Sequence, residues 1–539
     1  MFNHFKPVIK TTRLNTPIPV WNNSDKTHLI PLPLMANTLT LYNEYKIRME
    51  RIADLRNASA ILQWDQETYL PPKGAHFRGQ QISTLTELSH QLFTAEDLGN
   101  ILQELLTKED LAKDERRNVE LTLEDYNKNK KYPASFVRQL SEHTNQTFHA
   151  WLEARKHNSF KYYEQSLDKM IQLKKQEADI LGYAEHPYDA LLNEYEKGAT
   201  VSLLDQTFDS LLPSLKALFD QIAAAPAIDN SFLYQTFPKD KQWEWGLYLI
   251  KELGFDMEAG RQDISEHPFS ISFNPQDVRI TTRIDENDFG NMTWSCIHEV
   301  GHALYEQGLP SEHYGLPLSE ACSYSIHESQ SRLWENNVGR SLPFWNHYYT
   351  SLKQFFPEQF NAVELEQFYR GVNKVQPSLI RTEADEISYH FHVFIRYELE
   401  KKLIEGSITT SDIPAYWNEQ YKKLLGVEVP DDKQGCLQDV HWSHGSFGYF
   451  PTYSLGSFYA AQFYAAANTQ IIGFETHIEK GNMAPLLQWL KNQVHRKGRF
   501  LTSEELCKEI TGKSLDTSYF MAYLLEKYAS IYYFVRKYP

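Results

Sequence analysis

The sequence predicts a mostly α-helical protein with one small antiparallel β-sheet placed directly before a helix that carries His-Glu-x-x-His. Three observations predict it. Apolar residues recur at three- and four-residue spacing over most of the chain. One stretch, 267–288 ("HPFSISFNPQDVRITTRIDEND"), instead alternates apolar and polar residues and is rich in β-branched side chains. No Gly/Ser linker and no fixed-period repeat divides the 539 residues, so one large helical body, in one or two lobes, accounts for the length.

Residues 1–36 are rich in Pro, Asn and Thr and lack an apolar run followed by a small-residue cleavage site. They are expected to be a disordered extension. Lys6, Lys10, Arg13 and Lys26 leave a weaker organelle-targeting reading beside it. From 37 to 539 the chain reads as one domain. The first helix runs from Leu39 to Trp64, and Pro71-Pro72-Lys73-Gly74 interrupts the pattern. Further helices are expected over Gly79–Leu106, Lys113–Lys128, Pro133–His157, Tyr162–Leu181 and 202–225. The alternating stretch reads as two antiparallel strands joined by a turn at Asn274-Pro275. Asn291 is the expected N-cap of a helix over Thr293–Gln307, which Gly308 and Pro310 end.

Composition excludes several classes. The formal net charge is −16 and no basic stripe is present, so nucleic acid is not expected as a partner. No apolar run reaches the ~20 residues of a membrane span. Cys296, Cys322, Cys436 and Cys507 form no CxxC pair, which suggests a reducing compartment, the cytoplasm, and no disulfide framework.

The chemistry centres on His298-Glu299-Val300-Gly301-His302. Residues i and i+4 share a helix face, so both imidazoles can present a nitrogen to one metal ion. Glu299 is turned ~100° from His298 and suits a general base beside that ion. Gly301 is small enough for another element to pack against the helix. A catalytic site needs a third ligand and an open position. Glu320, His327, Glu328 and Glu335 on the next helical segment are candidates, and periodicity does not choose among them. The extended H-E-x-x-H-x-x-G-x-x-H pattern is absent, which favours a glutamate on a separate helix.

Several motifs, in order, resemble those of the M32 metallocarboxypeptidases, the carboxypeptidase Taq family. They are "DVRIT" (277–281), "HEVGH", "HESQSR" (327–332), "IRTEAD" (380–385) and "GCLQDVHW" (435–442). Weaker echoes are "WDQETYLPPKG", "HPF" and "GYFPTYSLG", and the likeness spans nearly the whole chain. The resemblance implies a helical zincin-type body with a deep active-site groove, in a subunit that usually forms a homodimer. It implies release of single C-terminal residues from peptides with broad specificity, poor at proline. The usual metal is zinc, one ion per subunit, with cobalt or another divalent ion as a substitute. By position, Glu328 becomes the third ligand and Arg381 the holder of the substrate's terminal carboxylate. A fixed guanidinium fork suits that task. From the residues alone, Arg381 reads rather as the structural ion-pair partner of Glu383 or Asp385, and Arg279 reads evenly as a substrate contact or the partner of Asp277. His441 and Tyr453 are candidates to donate to the developing oxyanion.

Other residues take plain readings. His441 and His444 are i, i+3 but have no accompanying ligand pair. His390 and His392 point to different helix faces. Cys296 and Cys322 flank the site in sequence only and read as small hydrophobes. No G-x-S-x-G supports a serine nucleophile.

Overall fold

The computed structural model describes residues 37–534. The expected extension, 1–36, lies outside them. The helix Thr38–Thr68 opens the described chain, and the Asn37 side chain caps it by accepting from the Leu39 N–H. Its apolar face buries Leu41, Tyr45, Met49 and Ile52 in a small core shared with Leu102, Leu105, Val119 and Leu316. The Tyr45 hydroxyl lies 2.7 Å from Thr122 Oγ1, which ties this helix to Lys113–Lys131. A second and much larger core holds the rest of the body.

Most expected helices are present, with one split. The span read as Gly79–Leu106 is two helices, Ala75–Phe93 and Glu96–Leu106. Thr94 turns its hydroxyl back to the His90 carbonyl and ends the first. Glu96 and Asp97 then open the second, where acidic side chains favour a helix start. Helices Ala134–His157 and Lys161–Leu181 fall as expected, and Val201–Ala223 continues through Pro213.

The sheet has three strands, not two, and it is mixed. Strands β1 (Gly260–Ile264), β2 (Ser270–Asn274) and β3 (Asp277–Thr282) lie in the order β1-β3-β2. The β2–β3 hairpin is antiparallel, and the Asn274 side chain accepts from the Gln276 N–H in its turn. Strand β1 pairs parallel to β3, with Arg261 opposite Arg279. Its pattern is inverted: Gln262 and Asp263 are buried while Ile264 is exposed, so no apolar alternation marks it. Arg261 pays for this by holding Asp263 with two hydrogen bonds of 2.6 and 2.7 Å.

Strand β3 leads into the motif helix, Phe289–Gly308. Its N-cap is Asp288, which accepts from Gly290 N–H at 2.8 Å, and not Asn291, which is already inside the first turn. After two short turns follows the helix Tyr324–Arg332, here the Glu328 helix. It widens into a π-helical segment, Leu333–Gly339. Such widened turns occur often at functional sites, and this one carries Glu335. Gly301 is where the two helices touch. A Cβ there would lie 2.6 Å from Ser331 Cα, so only glycine permits this approach. Among the described residues no helix is long and apolar enough to cross a membrane.

The large core buries histidines in neutral form. Burial pushes His390 and His495 down to about 3 from an ordinary value of 6.5. In the unfolded chain both would take up protons near 6.5, so folding stability is full above that pH and declines as pH falls toward 3. Thermal unfolding from pH 7 to 4 is expected to show a falling midpoint. Replacing His495 by Gln should flatten the curve, and an unchanged slope would remove its share.

Candidate active site

The two histidines and Glu328 converge as helix geometry requires. His298 and His302 project from one face of the motif helix, and Glu328 meets them from the facing helix. Glu328 Oε2 lies 3.8 Å from His298 Nε2 and 3.5 Å from His302 Nε2. All three ligand atoms fall within 4.8 Å of one another, the one such group among the described residues. Two imidazole nitrogens and a carboxylate oxygen at these separations fit a tetrahedral cation with ligand bonds of about 2.0–2.2 Å. The residues therefore fit a divalent metal, and all three line the groove described below.

Each of these three side chains is held from behind. His298 Nδ1 lies 2.9 Å from Glu335 Oε2. Glu335 also accepts from Arg332 and Arg340, each at 3.1 Å. Arg332 donates from Nε to Glu328 Oε1 at 2.7 Å, leaving Oε2 for the cation. His302 Nδ1 faces His327 Nδ1 at 2.6 Å. Outer partners of this type orient ligands and set their basicity. Gly456, on the helix Phe450–Gln470, leaves room for the Glu328 side chain; a Cβ there would lie 2.6 Å from Glu328 Cβ.

Of the four third-ligand candidates, the structure brings only Glu328 to both imidazoles. Glu335 and His327 stand behind the histidines. Glu320 sits on the groove wall and pairs with Arg499. Glu299 is 7 % exposed, and its Oε2 accepts from the Ser270 hydroxyl at 2.5 Å. Burial raises its carboxyl above the ordinary value, against the pull of His298 and the Ser270 hydrogen bond.

A groove of about 2330 Å³ contains the site. Its walls include Arg56 and Glu67 of the first helix, Asp125 of Lys113–Lys131, Phe269, and Ser270 at the start of β2. His298, Glu299, His302, Glu328, Arg381, His441 and Tyr453 all line it. Its volume exceeds the 300–1,000 Å³ of ordinary small-molecule pockets and suits an extended peptide.

Arg381 is 6 % exposed, and its partner is neither Glu383 nor Asp385. Its Nε and Nη2 donate to Asp439 Oδ1 at 3.0 and 2.8 Å. Asp385 instead accepts from the Ile387 and Ser388 N–H groups. Arg396 shares Asp439 through the other oxygen. Burial acts to raise the Asp439 carboxyl, but the two guanidiniums overcome it and hold it well below the usual range. Two guanidiniums around one carboxylate leave a surplus positive charge beside the groove.

His441 Nε2 lies 3.0 Å from the Tyr453 hydroxyl. Burial pushes His441 down to about 3, against the pull of Asp439, so the ring is neutral near pH 7. Arg279 is elsewhere: it binds Asp277 through two hydrogen bonds of 2.9 Å and stacks over Trp64, outside the groove lining. His444 packs on Phe148, and His390 and His392 bond Ser454 and Tyr421 in the core. Cys296 is buried beside Met292, and Cys322 lines the groove, with its thiol toward the Leu501 carbonyl.

Sequence reasoning missed Arg332, Arg340, Ser270 and Asp439. Arg332 had a local signal, because it stands four residues after Glu328 on one helix face. Arg340 reaches Glu335, five residues before it, across the π-helical segment, whereas Ser270 and Asp439 are joined to the site only by long-range packing.

The sequence profile described as "Carboxypeptidase Taq (M32) metallopeptidase" matches residues 44–528. "Carboxypeptidase 1" of Bacillus subtilis (strain 168) is 38% identical over 495 residues, covering 92% of this chain and 99% of the relative. "Thermostable carboxypeptidase 1" of Thermus thermophilus is 39% identical over 495 residues, covering 89% of this chain and 96% of the relative. Among solved structures, the M32 carboxypeptidase of Deinococcus radiodurans R1 superposes with a TM-score of 0.90 at 38% identity, over 92% of this chain and 100% of that one. With the helix pair, the cluster of His298, His302 and Glu328 and the groove described above, these matches establish that the chain belongs to the M32 family and is a metallocarboxypeptidase.

Proposed function

We propose that the enzyme binds one zinc ion through His298, His302 and Glu328, and releases single C-terminal residues with broad specificity, with Glu299 as general base. The observation that carries this reading is the placement of the buried Glu299 carboxylate beside the triad, inside a peptide-sized groove. A divalent cation there would supply Lewis-acid polarisation of the scissile carbonyl and acidify the attacking water. Glu299 takes the water's proton at its carboxylate and delivers it to the leaving amine. Ser270 holds that carboxylate in place. His441 and Tyr453 are paired through Nε2 and the hydroxyl; in the tautomer with its proton on Nε2 the ring donates to the Tyr453 oxygen and leaves the Tyr453 O–H for the developing oxyanion. Arg381 receives the terminal carboxylate, with the surplus charge of its cluster as support. Arg279, stacked outside the groove, is assigned to the sheet.

Strand β2 has one neighbour, β3, so its other edge is free to pair with an extended substrate. A proline in the last position offers no N–H at the scissile bond, consistent with poor release. The homodimer and the cytoplasmic setting remain part of the proposal; the free state of all four cysteines supports the reducing compartment.

A single N-blocked peptide, supplied with a free or an amidated C-terminus, tests the reading. Products are followed by mass spectrometry with and without chelator, and with zinc restored. Loss of single residues from the free form only, abolished by chelator and restored by zinc, is expected. Release of dipeptides or internal fragments would move the enzyme to a peptidyl-dipeptidase or oligopeptidase mode on the same scaffold.

A further inference from the structure

His302 is not backed by a carboxylate directly, unlike His298. Behind it stands His327, and behind His327 stands Glu306, whose Oε1 lies 2.8 Å from His327 Nε2. Glu306 is four residues after His302, so both project from the same face of the motif helix. His327 reaches across from the Glu328 helix and bridges them, with its Nδ1 2.6 Å from His302 Nδ1.

We propose that His327 and Glu306 form a relay that selects the metal-binding tautomer of His302. The proposal rests on His298, His302 and Glu328 being the ligand set. A carboxylate only accepts, so the Glu306 contact puts the proton of a neutral His327 on Nε2. His327 Nδ1 is then bare and accepts. Its neighbour, His302 Nδ1, must carry a proton and donate. His302 Nε2 is left with its lone pair directed at the triad, as metal binding requires. The opposite arrangement puts a proton on His302 Nε2, aimed at Glu328 Oε2 3.5 Å away, and closes the site to a cation. Glu306 thus excludes that arrangement from two groups away. His327 and Glu306 are positioning residues that act through His302, and the sequence carries their signature as H-E-x-x-H-x-x-x-E followed by H-E.

The test is zinc affinity of the full-length enzyme, measured by competition with a chromogenic chelator, with thermal unfolding of the metal-free protein as a check on folding. His327→Leu and Glu306→Ala should each weaken zinc about 10- to 100-fold. His327→Asn places an amide oxygen near the lost Nδ1, accepts from His302, and should recover most of that loss. A merely structural role for His327 would not be rescued by Asn. Zinc affinities of His327→Leu and Glu306→Ala within about twofold of wild type, or no recovery with Asn, would overturn the relay. If His327→Leu does not fold, Glu306→Ala decides. His298→Ala serves as the control: undiminished zinc binding there sinks the ligand-set reading itself, whereas zinc lost there but kept in the relay variants sinks only the relay.

Discussion

Replacing Glu299 by Gln is expected to leave zinc bound and to lower kcat by about 10²- to 10⁴-fold, the range of a lost general base. The variant is informative because so little else changes. Gln has the same shape, and its amide oxygen still accepts from the Ser270 hydroxyl that holds Oε2 in the native protein. The ligand atoms of His298, His302 and Glu328 are untouched. What disappears is a proton acceptor in a buried position beside them. KM for a free-carboxylate peptide should move little, since in the proposed mechanism Glu299 acts on the water and not on the substrate's terminus. Metal content and steady-state kinetics on one preparation check this. Turnover close to wild type with full metal would remove Glu299 from the base role.

Arg381→Ala is expected to reduce kcat/KM on free-carboxylate peptides by about 10- to 100-fold, mostly through KM, as loss of a charge-assisted clamp implies. The same substitution should barely affect an amidated peptide, so the preference for a free terminus collapses. Removing one partner of a buried ion pair usually costs stability because the other charge is stranded. Here Asp439 keeps Arg396, whose Nε stands 2.6 Å away, so the variant is expected to fold. Arg381→Lys should recover little, because an ammonium has no fork to match two carboxylate oxygens. An unchanged ratio of free to amidated substrate would return Arg381 to a purely structural role as partner of Asp439.

The elements legible in the sequence are those whose signal is local. The helix Thr38–Thr68 shows its buried face at three- and four-residue spacing, and the β2–β3 hairpin shows alternation on either side of its turn. Strand β1 is illegible because its buried positions are Gln262 and Asp263, the latter held by Arg261 two residues before it and by the Tyr69 hydroxyl, so no apolar alternation marks the strand. The break at Thr94 lies inside an otherwise continuous helical pattern, where Glu96-Asp97 is its one local start signal. Asn291, three residues past the true N-cap, reads as the cap because Asp288 and Asn291 are both good caps and only the course of the chain after β3 separates them.

By itself the sequence determined that two histidines and a glutamate share one turn of a helix, since a four-residue spacing is a property of the helix and needs no partner. The ordered motifs placed the chain in its family on the same local footing. Which carboxylate meets those histidines was decided only by tertiary structure: four candidates had comparable spacing, and the contact through Gly301, with Gly456 behind, brings Glu328 forward and turns Glu335 and His327 to the rear. The partner of Arg381 was decided in the same way. Glu383 and Asp385 are its neighbours along the chain, yet Asp439, 58 residues further on, takes the guanidinium. Spacing specifies contacts within one element. Contacts between elements depend on which faces the burial of apolar surface drives together, and that is settled by the whole chain at once.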